Sequence, residues 1–380
     1  MSQRAIPAVW MRGGTSKGLF FHAHDLPPDP AERDALLLRA LGSPDPFGTQ
    51  IDGVGGATSS TSKVVVIAPS DRDDCNVDYR FGHVAIDAPV IDWSGNCGNL
   101  TAAVGPFAID SGLVPATEPV TRVRIWQANL GKRIEAMVPV TGGRAHVQGE
   151  FVMDGVAFPG AAIDLQFTDA GGEARGGVLP TGRPVDVLEV PALGAIEVTL
   201  VHAGNVAVFV RAADLDLTAA ETPAELAADA DRLARLNQLR DYATVALGLA
   251  DSPEDAARRR PATPKIHLVG PPVGHRLRTG RELTADDIDL CARALSMGRP
   301  HHAYPGTSAV ATGVAAALPG SVVHDLATGS PAARRIGHAA GVMSVGAELD
   351  CRDGVWTAPA VSLQRSARCL MAGDVFIPVG

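Results

Sequence analysis

Hydrophobic and polar positions divide this chain into strands with one buried face and two stretches that are apolar all round. Short runs rich in Val, Ile and Phe, many of them alternating apolar with polar, predict strands over residues 6–11, 19–21, 64–67, 77–86, 122–127, 133–140 and 145–149. Further along, the same signal marks 185–190, 196–202, 206–211, 265–269, 342–349, 355–361 and 375–379. Helical spacing predicts amphipathic helices over 31–41 and 284–297, and a helical region over 221–249 in two pieces. Gly42-Ser43-Pro44 stops the first of these. Residues 100–109 and 309–318 differ, being small and apolar on every side, which fits helices buried within a sheet. Each follows a polar turn containing glycine, Trp93 to Asn99 in one case and Arg299 to Ser308 in the other.

The repetition predicts an α+β chain of two similar units, each a mostly antiparallel sheet or barrel around one central helix. Gly171-Gly172, Gly176-Gly177 and Pro180-Thr181-Gly182 mark a loop-rich boundary, dividing 1–182 from 183–380. The last strand is free to pack back on the first unit. A length of 380 residues agrees with two domains, since single cores rarely grow past about 250–300 residues. Aromatics make up only 4% of the chain, so packing rests on Val, Leu, Ile and Ala.

A net charge of −9 argues against a nucleic-acid surface. The one basic run, Arg258-Arg259-Arg260, precedes Pro261 and reads as the end of a helix. No apolar stretch approaches the ~20 residues of a membrane span. The start, Met1 to Pro7, lacks the apolar core of a secretory signal, so the chain is expected in the cytoplasm. The five cysteines are scattered without a CxxC pair, which predicts neither a disulfide framework nor a zinc site.

Chemistry gathers at the polar turns. Cys97 stands where a buried helix begins, and helix starts present unpaired N–H groups that attract carboxylates and favour thiolates. The plainer reading makes Cys97 a small buried core residue. Lys63 ends a loop of small polar residues, 50–62, and enters an apolar strand. Desolvation of an amine at such a place favours its neutral, basic form; the alternative is a surface lysine with a snorkelling stem. Arg12-Gly13-Gly14-Thr15-Ser16-Lys17-Gly18 joins two strands and is either a carboxylate-holding loop or a plain hairpin turn. It is no Walker loop, because a strand rather than a helix follows. No GxGxxG stands between a strand and a helix, and no pyridoxal or flavin signature stands out, so no cofactor is expected. His301 and His302 are adjacent and diverge, so metal is not expected; a histidine there suits a structural role or a hydrogen bond to substrate. If the two helix starts face each other, they suit a substrate with several carboxylates and stabilise charge left by a departing proton.

Taken together, Arg12 to Gly18, Gly42-Ser-Pro-Asp-Pro46 with Gln50-Ile-Asp-Gly53, Thr61-Ser-Lys63, Asp92-Trp-Ser-Gly-Asn-Cys-Gly-Asn99, Ala294-Leu-Ser-Met-Gly298, His301-His-Ala303 and Arg365-Ser-Ala-Arg368 resemble the PrpF family. The resemblance runs from Trp10 to the C-terminus. It implies a diaminopimelate-epimerase-like fold of two pseudo-symmetric domains with the active site between them. It further implies a cofactor-independent 2-methylaconitate cis–trans isomerase, working beside an aconitase-like dehydratase in the methylcitrate route. The oligomeric state stays open, a homodimer included. Lys63 matches the family's proposed base and Cys97 its proposed acid. Thr15, Ser16, Lys17, Ser62, Asn96, Gly98, Asn99, His302, Thr307 and Ser308 are the expected substrate contacts. Epimerases of this fold carry a second cysteine at the second helix start, where this chain is expected to hold Ser308; that departure disfavours a two-thiol racemase. Within the family, 4-oxalomesaconate tautomerases are the close alternative; they usually read Gln-Asn-Cys-Gly-Asn, against Ser94-Gly95-Asn96-Cys97-Gly98-Asn99 here, and lack the Gly55 to Ser60 form of the loop, so both features point to the methylaconitate or aconitate side. Aconitate and methylitaconate isomerases stay open, because one methyl group is worth only ~1–3 kcal/mol of discrimination. A non-catalytic accessory of the dehydratase is the remaining alternative.

Overall fold

The computed structural model describes residues 3–171 and 177–378. Gly172 and Gly176 of the expected boundary, and Val379 of the last expected strand, lie outside the described residues. The chain forms two compact units, one of Met1–Val152, Phe158–Leu165 and Arg365–Gly380, the other of Met153–Ala157 and Gln166–Gln364. The C-terminal strand, Ala367–Pro378, thus belongs to the first unit, and Pro180-Thr181-Gly182 lies inside the second. The secondary structure is mixed, with strands predominating.

In the first unit, β1 (Gln3–Gly13) and β2 (Ser16–His22) form a hairpin with Gly13 opposite Ser16. There follow α1 (Pro30–Leu41), β3 (Lys63–Pro69), β4 (Val77–Val84), α2 (Gly98–Asp110), β5 (Val120–Gln127) and β6 (Lys132–Thr141). Pairing alternates in sense. β1–β2, β3–β4 and β5–β6 are antiparallel, while β2–β3 and β4–β5 are parallel. The C-terminal strand pairs antiparallel with β1. Asp29 caps α1 by accepting from the Glu32 N–H at 2.9 Å, and Gly42 ends it in a left-handed conformation at φ 77°. Its buried Leu37, Ala40 and Leu41 join Ile6, Leu19 and Val64 in one apolar cluster. α2 is buried from Gly98 through Ile109 and packs against β1, β2, β5, β6 and the C-terminal strand. Small residues make that approach possible: a Cβ on Gly105 would stand 2.6 Å from Val138 Cγ2 of β6.

The second unit contains β7 (Asp186–Val190), β8 (Gly194–Ala203), β9 (Asn205–Arg211), α3 (Pro223–Ala228), α4 (Ala230–Ala246), α5 (Pro253–Arg259), β10 (Lys265–Gly270), β11 (Leu290–Ser296), α6 (Gly306–Ala317), β12 (Arg334–His338) and β13 (Gly341–Arg352). The alternation recurs. β8–β9, β10–β11 and β12–β13 are antiparallel, while β9–β10 and β11–β12 are parallel. α6 is buried from Gly306 through Ala316 and packs on β8, β9 and β13.

Two expectations are corrected. Residues 284–297 are not a helix. Thr284 and Asp287 close one short turn, and the strand β11 follows with every residue buried. A strand covered on both faces reads as an unbroken apolar run, and Asp286 and Asp287 upstream imitate the polar side of a helix. Arg293, the one charge in β11, donates to the carbonyls of Ala220, Glu221, Ala292 and Gly337. Burial lowers its pKa to about 10, so it keeps its proton. The strand expected over 145–149 is only Arg144–Ala145. Beyond it the backbone pairs irregularly, with the Val147 carbonyl accepting from the Ala161 N–H at 3.1 Å.

Candidate active site

In the first unit the cap of α2 and the first residue of β3 meet. Cys97 is the N-cap, extended at φ −113° and ψ 93°, and its Sγ accepts from the Leu100 N–H at 3.4 Å. Lys63 opens β3 on the same face as Val65 and Ile67, which turns its side chain inward. It is only 6% exposed, and its Nζ donates to Ser16 Oγ at 3.0 Å and to Cys97 Sγ at 3.4 Å. The amine therefore does not reach out to water. Cys97 is 7% exposed, so the pair is nearly enclosed yet reachable. The Phe81 ring lies 5.8 Å from Nζ.

The β1–β2 hairpin closes over the start of α2. Asn99 Nδ2 donates to Thr15 Oγ1 at 3.0 Å and to Ser16 Oγ at 3.5 Å. Gly14, at φ 52°, fits there because any side chain would strike Asn99. Arg12 Nη1 donates to the carbonyls of Gly14 and Ser366, and the Gly14 N–H donates to Ser366 O, which fixes the turn. Below the cap, Thr101 Oγ1 donates to Cys97 O at 2.9 Å and to Asn96 Oδ1 at 3.3 Å. Tyr79 OH also reaches Cys97 O, at 3.4 Å. Burial, with the nearby thiol adding to it, pushes the Tyr79 phenol far up, so it remains a donor.

The structure thus brings Lys63, Cys97, Ser16, Thr15 and Asn99 together, with Asn96 and Gly98 on the same turn. Lys17 is not brought to them. Alternation along β2 turns it outward, exposed, with Nζ 6.0 Å from the Trp10 ring. Ser62 is fully buried, and its hydroxyl accepts from Gln50 Nε2 at 2.7 Å. In the second unit, Thr307 Oγ1 accepts from Asn205 Nδ2 at 3.1 Å. Ser308 is 2% exposed, and its hydroxyl has no hydrogen-bond partner among the described residues. The cap of α6 is Pro305, so Ser308 sits in the first turn rather than at the cap position. His302 is exposed and stacks on the buried His301 with ring centroids 4.7 Å apart.

Sequence reasoning does not single out Gln50, Tyr79 or Thr101. Gln50 is visible as the one large polar side chain at the head of a glycine and serine loop; nothing marks the other two. Among the described residues no three His, Cys, Asp or Glu side chains gather as a metal set, and no helix is long and apolar enough to cross a membrane.

The fold is shared with a hydroxyproline epimerase from Agrobacterium vitis, at TM-score 0.57 and 13% identity over 99% of this chain and 94% of that one. The chain belongs to the PrpF family, described as PrpF protein, which matches residues 3–378. A 2-methyl-aconitate isomerase of Shewanella oneidensis is 48% identical, covering 99% of this chain and 98% of the relative. A 3-methylitaconate isomerase of Eubacterium barkeri is 43% identical over 99% and 98%. The crystal structure of a methylitaconate-delta-isomerase matches at TM-score 0.78 and 42% identity, over 100% and 98% of the two chains.

Proposed function

We propose that this chain is a cofactor-independent isomerase of unsaturated tricarboxylates that interconverts the cis and trans forms of 2-methylaconitate. The observation that carries the reading is the 3.4 Å approach of Lys63 Nζ to Cys97 Sγ at a helix start. The full-length likeness to 2-methyl-aconitate isomerase supplies the substrate. In this reading the two units are pseudo-symmetric and of the diaminopimelate-epimerase kind, which the repeated order of strand pairings supports.

Carboxylates of the substrate sit on the N–H groups of Gly98 and Asn99, which belong to a first helical turn and have no intrahelical acceptor. Thr15 and Ser16 add hydroxyls to that seat. Thr307 and Ser308 offer the same donor chemistry at the start of α6, and His302 is a further proposed contact. In the competent state Lys63 is a neutral amine and Cys97 a protonated thiol. Lys63 takes a proton from the methylene carbon next to the double bond. The C–H electrons enter the π system and move onto the conjugated carboxylate. The former double bond loses order and rotates, and Lys63 or Cys97 returns a proton to the same carbon. Helix N–H groups and Asn99 stabilise the transient anion. The related product, with the proton returned at the far allylic carbon, is the methylitaconate isomerase outcome. It is the second reading, favoured by the likeness to that enzyme.

Proton NMR of purified protein with 2-methyl-cis-aconitate, trans-aconitate and methylitaconate, each in heavy water, tests the proposal. Isomerisation of 2-methylaconitate with deuterium entering its methylene is the expected result, and it also dismisses the accessory-protein reading. Turnover of methylitaconate alone would select the second reading. Turnover of none of the three would end both.

A further inference from the structure

Gln50 opens the long polar loop before β3 and is 1% exposed, with a left-handed backbone at φ 52°. Its amide is fully engaged. Nε2 donates to Ser43 Oγ at 2.9 Å and to Ser62 Oγ at 2.7 Å, and Oε1 accepts from the Ala57 N–H at 2.8 Å. Ser43 follows α1 and Ser62 precedes β3, so one side chain ties together the two ends of the connection between these elements. The backbone folds onto this anchor. Val54 and Gly55 donate to the Ala40 and Leu41 carbonyls at the end of α1, at 3.0 and 3.1 Å. Gly55 passes so close to the Gln50 amide oxygen that any side chain on it would collide.

Ser62 immediately precedes Lys63, and its carbonyl accepts from the Val84 N–H at 3.1 Å. Two residues earlier, the Ser60 carbonyl accepts from the Lys17 N–H at 2.9 Å, which links the same loop to the hairpin carrying Ser16. The Lys63 amine and its partner Ser16 therefore both depend on this loop's path. Ser16 is tied to it through Lys17, and the amine's own backbone follows from Ser62. We infer that Gln50 is a positioning residue for Lys63, holding the entry to β3 so that the amine stays within reach of Ser16 and Cys97. The inference rests on the reading of Lys63 as the base. A buried amide with three good hydrogen bonds in low dielectric suits the task, because each bond is costly to leave unmade.

The five cysteines supply the test. Gln50→Met keeps side-chain length and removes all three bonds; Ser62→Ala is a milder second variant that removes one. Iodoacetamide labelling, followed site by site by mass spectrometry, reads the surroundings of Cys97 whether or not a substrate is known, since a thiol reacts as its thiolate and an amine within hydrogen-bond reach can take the thiol's proton. Lys63→Ala sets the reference, a slowing of at least fivefold at Cys97. Both variants are expected to reproduce at least half of that change on a logarithmic scale. The exposed Cys351 and Cys369 should react unchanged, and the buried Cys75 and Cys291 should stay protected, which shows that the fold is intact. In the same preparations kcat for 2-methylaconitate should fall at least tenfold with KM within threefold, and the double variant should lose no more than the worse single. Wild-type labelling of Cys97 in either folded variant, an unaltered Cys97 rate in Lys63→Ala, or additive losses would overturn the inference. Failure of the wild type to turn over any of the acids would count against the proposed function alone, because the labelling result stands without it.

Discussion

The starts of α2 and α6 are built on one plan and equipped differently. Each helix is small, apolar and buried, with its first residue a glycine and a second glycine facing a sheet valine. Each start is met by a tight hairpin, β1–β2 for α2 and β8–β9 for α6. An Asn–Thr hydrogen bond ties hairpin to helix in both, with the partners exchanged: Asn99 to Thr15 in one, Asn205 to Thr307 in the other. Even the lysines correspond, since Lys63 opens β3 and Lys265 opens β10, each strand parallel to the second strand of its hairpin. The difference is the cap. α2 has Cys97, whose sulfur touches Lys63, while α6 has Pro305, which has no side-chain acceptor to offer. The plan presents helix N–H groups twice, and in the proposed reading the Lys63–Cys97 pair at the first start carries the proton transfer. A racemase that works from both faces of a carbon needs two such groups; an allylic isomerase that takes and returns a proton on one face does not.

The sharpest way to break this contrast is to remove the amine. Lys63→Ala is expected to lower kcat about 10³-fold, within the ~10²–10⁴-fold range of a general base, and to stop deuterium entering the substrate. Lys265→Met should leave exchange within about threefold of wild type. Equal losses in the two variants would mean that the second unit is a working partner rather than a silent copy.

Next comes the thiol. Cys97→Ser should cost about 10²-fold in isomerisation, at the lower end of that range, while leaving measurable deuterium wash-in, because Lys63 can still remove the proton. If wash-in and isomerisation fall together by the same factor, Cys97 acts in proton removal and not only in its return.

The shared plan is legible in the residues themselves, the division of labour only in part. Alternation and two all-apolar helices are strong signals, because burial on one face or on all faces is written directly into residue type. The cap thiol and the lysine at the mouth of β3 stand out against their small neighbours. Position alone does not show that Lys63 turns inward; the pleat of β3, set by pairing with β2 and β4, decides that. The alternation of β2 sends Lys17 outward although it lies within the same polar turn as Ser16. Pairing in space also hides β11, whose charge is absorbed by four carbonyls, three of them distant in sequence. The role of Gln50 is hidden for a related reason: the residue stands out at the head of its loop, but its partners Ser43, Ala57 and Ser62 are set by the folded path and not by any local pattern.

The packing behind the two helices differs by less. A Cβ on Gly105 would stand 2.6 Å from Val138 Cγ2, and on Gly313 2.9 Å from Val345 Cγ2. Overpacking typically costs ~1–3 kcal/mol, against a gain of ~1 kcal/mol from replacing a helical glycine by alanine. Gly105→Ala should therefore destabilise by up to about 2 kcal/mol and Gly313→Ala by less, read as shifts in the urea midpoint at unchanged slope. A larger loss for Gly313→Ala would show the second helix to be the more tightly held.

The smallest effect should carry opposite signs in binding and in stability. Among the described residues the buried Ser308 hydroxyl has no partner, whereas at the first helix start the hydroxyls of Thr15 and Ser16 both have partners. An unsatisfied buried group costs ~1–3 kcal/mol, so Ser308→Ala should leave the urea midpoint unchanged or raise it. If that hydroxyl is reserved for a substrate carboxylate, the same change should raise KM about tenfold, a loss of ~1.4 kcal/mol, with kcat within about threefold of wild type. A structural serine would behave the other way, losing stability on substitution and leaving KM alone. Ser308→Cys adds the second test. It places a thiol in the first turn of α6 but not at the cap that Pro305 occupies, so it should produce no racemase-like exchange, because the thiol of the first helix start stands at the cap itself.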